Sequence, residues 1–224
     1  LTTDQDNAII YEDLSDENAD SVAEYFLKLG RNINSYLDAA GYKLCVGEIM
    51  ARNPKWNQSL KVWKSYFNNW ILSPEPQNIV ESVIFFDFRL LYGDEKLVEN
   101  LRRTIKYSIK SNNVFLNQLA ITTINYKLPV SLFGKIQTEN KEKNIEKFNL
   151  KNAVRLLVSI IRLYSMKYGI EQTNTLERLI SLENEAAISS IFFKELKYSY
   201  EYLMKIQFEN QCRQYTKGYE IRSE

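Results

Sequence analysis

Asp4 and Asp6 are the residues with the clearest capacity for chemistry. They stand one residue apart before a short β-branched run, Asn7 to Tyr11, and strand side chains alternate faces, so both carboxylates leave the same face. Two carboxylates placed in this way can share a divalent ion. Magnesium prefers carboxylate oxygen and bridges nucleotide phosphates, which is what phosphoryl or nucleotidyl transfer requires. The spacing alone is a weak signal, because D-x-D arises in any acidic loop.

Other polar residues carry paired readings. Arg52, Asn53 and Lys55 follow an apolar segment and could meet phosphates from the side opposite the aspartates, neutralising charge on a transferred phosphoryl group. Equally, they form a solvated helix start with Asn53 as its cap. Lys151 and Arg155 open a later helix, where they bind phosphate or substrate or are solvated, with solvation favoured for Arg155. Asp87 and Arg89 lie in an apolar stretch, and a buried charge is costly unless paired, so a structural ion pair is favoured over a cleft position. Histidine is absent, which removes Ser-His-Asp and Cys-His nucleophilic schemes. Cys45 and Cys212 are too few for a disulfide framework and supply only half of a tetrahedral zinc shell, so both read as reduced, partly buried thiols.

The elements that position these groups are mainly helices. Asn7 to Tyr11 reads as a buried strand. Ser15 to Gly41 has helical spacing at Val22, Phe26, Leu29, Ile33 and Leu37, with Gly41 as its stop. Tyr42 to Ala51 reads as a second extended segment able to pair with the first. Pro54 starts a helix to about Leu72, with Trp56, Trp63 and Trp70 as a core stripe. Further helices are expected over 78–92, from Asp94 to about Lys110, and over 113–126, the last two separated only by Ser111-Asn112 and readable also as one bent element. The region 127–150 reads as a loop with a weak hairpin. Helices resume over 151–168, after Thr173-Asn174-Thr175, and from about Ala187 to Tyr215, with a polar end that frays. Tyr198, Tyr200, Tyr202, Phe192 and Phe193 read as core and interface packing. The fold class is therefore α+β, mostly α, with the β content at the amino end. A domain change is expected within 128–150, giving units 1–127 and 128–224.

Composition bounds the partners. The net charge is +1, from 29 Lys and Arg against 28 Asp and Glu, which gives no long-range attraction to nucleic acid or anionic lipid. No apolar run reaches the ~18 residues needed to cross a bilayer, and the acidic start is unlike a signal peptide. A cytoplasmic location is the default expectation.

The longer string Leu1-Thr-Thr-Asp-Gln-Asp-Asn-Ala-Ile-Ile-Tyr11 resembles the T-D-Q-D-N-A-L-I-Y segment of a bacterial nucleotidyltransferase family found beside CBS and cyclic-nucleotide-binding domains. That family is related to the PII uridylyltransferases of the polymerase-beta superfamily. Gly41 to Cys45, Met50 to Trp56 with Ser59, Ile84 to Arg89, Tyr92 to Asp94, Asn149 to Lys151 and Thr173 to Arg178 fit the same family, so the resemblance spans nearly the whole chain. It implies that Asp4 and Asp6 bind catalytic Mg²⁺ or Mn²⁺, and that the sheet at the amino end is the remnant of a nucleotidyltransferase sheet. It also implies a carboxyl-terminal helical region that binds substrate. The superfamily's third carboxylate has no clear counterpart; Glu48 is the candidate. The Gly-Ser helix that holds the triphosphate would lie before Leu1, so the chain reads as an incomplete and inactive piece of a longer protein.

The leading expectation is metal-dependent transfer of UMP or AMP from a nucleoside triphosphate to an acceptor, with a regulatory protein as one acceptor and upstream CBS or cyclic-nucleotide-binding domains as partners. The rival is a non-catalytic helical module that binds a partner in signal transduction. A third reading is a helical scaffold that forms a homodimer through an apolar helix face.

Overall fold

In the computed structural model the described residues are 4–14, 16–124, 139–140, 146–147 and 150–219. Eight α-helices and four short strands are found among them, so the chain is mostly helical with a small sheet at its amino end. The chain forms two compact units, one of residues 1–70 and 89–107, the other of residues 71–88 and 108–224.

In the first unit, β1 (Ile9–Tyr11) pairs in parallel with β2 (Asn57–Ser59). The expected partner segment, Tyr42 to Ala51, contributes instead an isolated bridge between Lys43 and Asp4 and two hydrogen bonds, from Gln5 N to Lys43 O and from Asn7 N to Ile49 O. The expected helix from Pro54 is correspondingly shorter. Pro54–Trp56 is a single 3₁₀ turn capped by Asn53, and α2 (Leu60–Leu72) begins after β2. The cause is local. Asn57 is buried with its side-chain N–H groups donating to the carbonyls of Phe26 and Ala51, each at 2.8 Å, which fixes an extended backbone where helical spacing would have continued. Trp56, Trp63 and Trp70 are all buried, as a core stripe requires, and the Trp63 indole donates to Ile9 O at 3.0 Å, tying α2 to β1.

Helix α1 (Ala19–Ala39) is entered through a 3₁₀ turn at Asp16–Asn18. It ends as its sequence suggests. Gly41 adopts φ 97°, with Gly41 N donating to Asp38 O and Tyr42 N to Leu37 O, a left-handed termination that glycine adopts without strain. The expected apolar stripe is buried only in part, with Val22, Phe26 and Leu37 half-buried. Leu29 and Ile33 are exposed, whereas Gly30 and Asn34, one turn apart, are its buried residues. Gly30 lets α1 approach the chain at Ala51 so closely that a Cβ there would lie 2.3 Å from Ala51 O. Gly30→Ala is therefore expected to destabilise the fold by about 1–3 kcal/mol through overpacking, read as a lower urea midpoint with unchanged slope.

In the second unit, α3 (Pro76–Phe86) stops short of the expected Tyr92, with Asp87 as its C-cap. Asp94, back in the first unit, caps α4 (Glu95–Lys110), most of which belongs to that unit, its carboxylate accepting from Lys96 N. A separate helix, α5 (Asn113–Ile124), follows. Asn112 divides the two by accepting from the amides of Val114 and Phe115 and donating to Ile71 O. β3 (Glu139–Asn140) and β4 (Glu146–Lys147) form a short antiparallel hairpin; the rest of that loop, and the expected domain boundary at 127/128, lie outside the described residues. The unit itself takes in α3, because Asp87 is held by arginines of later helices. Helices α6 (Leu150–Tyr168), α7 (Thr175–Asn184) and α8 (Ser190–Thr216) enclose a core of Ile161, Leu179, Leu182, Ile188 and Leu196, against which Phe192 and Phe193 pack. Asn174 and Ser189 cap α7 and α8. Tyr198 and Tyr202 of α8, read from the sequence as core or interface residues, are exposed. The helix α8 extends through Thr216, so residues 211–216 of the polar end expected to fray or dock loosely are helix; residues 220–224 lie outside the described set.

Asp87 accepts hydrogen bonds from Arg162, at 2.7 and 3.1 Å, and from Arg178. The structural ion pair expected of it thus forms across helices, while Arg89 is exposed beyond the helix end. Burial alone would raise the Asp87 carboxyl, but the hydrogen bonds and charges of the two arginines outweigh it and hold the group below the ordinary aspartate range. Arg178 is 1% exposed, its remaining donor satisfied by Gln172 O at 2.7 Å.

Candidate metal-binding site

The segment before β1 is held by a set of buried amides. Because side chains alternate along extended chain, turning Asp4 and Asp6 outward turns Gln5 and Asn7 inward, and an inward amide must find partners or lose stability. Asn34, fully buried on α1, provides them. Its amide donates to Gln5 Oε1 at 2.8 Å and Asn7 Oδ1 at 3.0 Å, and its Oδ1 accepts from Arg52 N at 2.9 Å. Gln5 Nε2 donates onward to the carbonyls of Asn34 and Tyr42, and Asn7 Oδ1 also accepts from Ala51 N. These bonds lock three pieces of chain together: the segment carrying the aspartates, helix α1, and the turn at 51–52.

Asp4 and Asp6 are exposed on the opposite face. Their carboxylate oxygens and the Cys45 sulfur all lie within 4.8 Å of one another, so the two acids converge. A hard divalent cation fits such a donor set: two carboxylates on an open face leave room for water or phosphate oxygens to complete six-fold coordination. Cys45 belongs to this corner of the molecule, although the sequence marks it only as a buried thiol. Burial pushes its pKa up, and the hydrogen bond with Asp6 and that residue's charge push the same way, outweighing the backbone hydrogen bonds at Ile49 and Gly47. These influences favour the protonated thiol beside Asp6. Cys45 is buried and Cys212 exposed. Under native conditions at pH 7.5 a thiol reagent is therefore expected to label Cys212 at least ~10-fold faster than Cys45, with both labelled after denaturation, as peptide mass mapping would show.

Glu48 is not part of this group. It sits in a turn with φ 53° and accepts two hydrogen bonds from Arg52, which hold its carboxyl below the usual glutamate range. Asn53 accepts from Lys55 N and donates to Glu48 O, so its cap role is realised. The Lys55 ammonium lies 4.5 Å from the Trp56 ring centroid. Glu48, Arg52 and Asn53 do come together, with Arg31 and Pro54, around an open depression of about 480 Å³; Asp4 and Asp6 are not among its lining residues. Lys151 is exposed in the first turn of α6, in the second unit, as is Arg155 one turn on.

The fold thus joins a paired-aspartate corner, just ahead of a small parallel sheet, to a largely helical chain. Residues 1–77 match the family described as putative nucleotidyltransferase DUF294, and residues 113–224 match its putative nucleotidyltransferase substrate binding domain. The chain belongs to this nucleotidyltransferase family. No curated protein and no solved structure matches it. No helix among the described residues is long and apolar enough to cross a membrane.

Proposed function

We propose that the protein acts in metal-dependent nucleotidyl transfer, with Asp4 and Asp6 holding one or two Mg²⁺ or Mn²⁺ ions. The observation that supports this most is the convergence of the two carboxylates on an exposed face, backed by the match to the putative nucleotidyltransferase family. A divalent ion there supplies Lewis-acid stabilisation of charge on the phosphates. The chain's own contribution is positional: the Gln5–Asn7–Asn34 amides keep the aspartate segment from shifting, and the Cys45 thiol hydrogen-bonds to Asp6. Arg31 and Arg52, beside the open depression in the same unit, are cations placed to meet phosphate oxygens, Arg52 by exchanging Glu48 for a more strongly charged partner. UMP or AMP is the group transferred, a regulatory protein is the acceptor, and the helices of the second unit, including the exposed Lys151, contact the acceptor.

Calorimetric titration of each ribonucleoside triphosphate into the full-length protein, with and without Mg²⁺, tests this reading. Binding of UTP or ATP that requires the metal is expected. Metal-independent binding, or none of any triphosphate, contradicts it.

A further inference from the structure

Lys43 shares a face with the two aspartates. It stands opposite Asp4 in the isolated parallel bridge, where Gln5 N donates to Lys43 O at 2.9 Å, and residues directly paired across parallel chains project their side chains to the same side. The alternation continues two residues on: Cys45 stands beside Asp6, its sulfur within the converging group. Lys43 and Cys45 are therefore what the neighbouring chain adds to the corner that Asp4 and Asp6 form, an exposed lysine at one end and a buried thiol at the other. Paired chains run about 4.8 Å apart, a gap that a lysine stem spans, so the ammonium is within reach of a group held on the aspartates.

The charge of Lys43 is also uncommitted. No hydrogen bond or ion pair of its ammonium is found among the described residues, whereas Arg52 is bound to Glu48 and borders a depression that the aspartates do not line. Two carboxylates and one divalent ion cancel in charge, so a triphosphate arriving at that ion brings several negative charges to a face where Lys43 is the cation fixed by the backbone. Lysine suits this position because its ammonium is a compact point charge on a flexible stem, able to follow whichever phosphate oxygen the ion leaves free. We propose that Lys43 is a triphosphate-binding residue, pairing with a non-bridging phosphate oxygen of a nucleotide whose metal ion is held by Asp4 and Asp6. This inference rests on the nucleotidyl-transfer reading and adds to it a contact at the ion itself.

The test is calorimetry on the full-length protein, natural and carrying Lys43→Met or Lys43→Arg, titrated with Mn²⁺ alone and then, at saturating Mn²⁺ and without acceptor, with UTP and with ATP. A lysine beside Asp4 opposes a bare cation and attracts a triphosphate, so the two titrations should move in opposite directions. Lys43→Met is expected to bind Mn²⁺ about 2- to 5-fold more tightly, the size of an exposed charge effect. It should bind the triphosphate at least ~10-fold more weakly, through loss of a charged hydrogen bond. Lys43→Arg keeps the charge and should hold the triphosphate within about 5-fold of the natural protein. Thermal midpoints should match, since Lys43 is exposed and its backbone bond to Gln5 is kept. Unchanged triphosphate affinity in Lys43→Met, beside a natural protein that binds the nucleotide with Mn²⁺, overturns the role of Lys43 and leaves the metal reading standing. A natural protein that binds neither triphosphate overturns both. Weakened binding of Mn²⁺ and triphosphate together in Lys43→Met overturns the proposal as well, because a residue that merely supports the corner gives that pattern.

Discussion

In the full-length protein, replacing Asp6, or Asp4, by asparagine is expected to lower nucleotidyl transfer by on the order of 10²–10⁴-fold, the several kcal/mol that a metal's charge stabilisation contributes. Asparagine keeps the shape of the side chain and removes only its negative charge. The fold should hardly register the change: both aspartates are exposed, and the amides that fix this segment are those of Gln5, Asn7 and Asn34. A stability change within about 0.5 kcal/mol beside lost label transfer from an α-phosphate-labelled triphosphate would separate a metal role from a structural one. Asn34→Leu should behave in the opposite order, unfolding the corner first and losing activity as a consequence, since Gln5, Asn7 and the Arg52 amide would each lose a buried partner.

The second large effect lies in the other unit. Asp87→Asn is expected to destabilise that unit by about 3–5 kcal/mol, the cost of removing one member of a buried ion pair and leaving its partners uncompensated. Arg178 is almost wholly buried and Arg162 largely so. The pH dependence has a definite sign. The folded carboxyl titrates below its unfolded value near ~3.9, so the folded state binds fewer protons between the two values and stability falls as pH falls. The contribution is fully present above the unfolded value and is lost as pH drops through the folded one. Urea titrations at pH 7 and between pH 3 and 5 should show natural protein losing stability in that window, with the Asp87→Asn variant weaker at pH 7 and lacking this component of the acid loss.

What the sequence made legible follows the range of the interactions involved. Helix stops and caps are local, so Gly41, Asp94 and Asn174 mark their boundaries in the chain as they do in the fold. The alternation of Asp4 and Asp6 is local too, and their convergence was readable from spacing. Strand β2 was not, because its extended backbone depends on Asn57 reaching Phe26, distant in sequence, and periodicity through Trp56, Trp63 and Trp70 continued a helix across it. The same holds for α1. Its apolar spacing suggested which face is buried, but the close approach at Gly30 and the amide network at Asn34 turned inward a face that overlaps it only in part. A signal for that network existed: if the aspartates point out, Gln5 and Asn7 point in and require a buried polar partner. Cys45 carried no such signal, since its proximity to Asp6 depends on the fold of the 42–51 segment.

Manganese is the direct probe of the central claim, because its paramagnetic resonance distinguishes free from bound ion without an acceptor or a known nucleotide. The natural chain is expected to quench the free Mn²⁺ signal, with Asp4→Asn and Asp6→Asn each weakening binding at least ~10-fold and Glu48→Gln leaving it unchanged. Equal binding by all four proteins, or loss of binding only in the Glu48 variant, would contradict the assignment of the ion to Asp4 and Asp6.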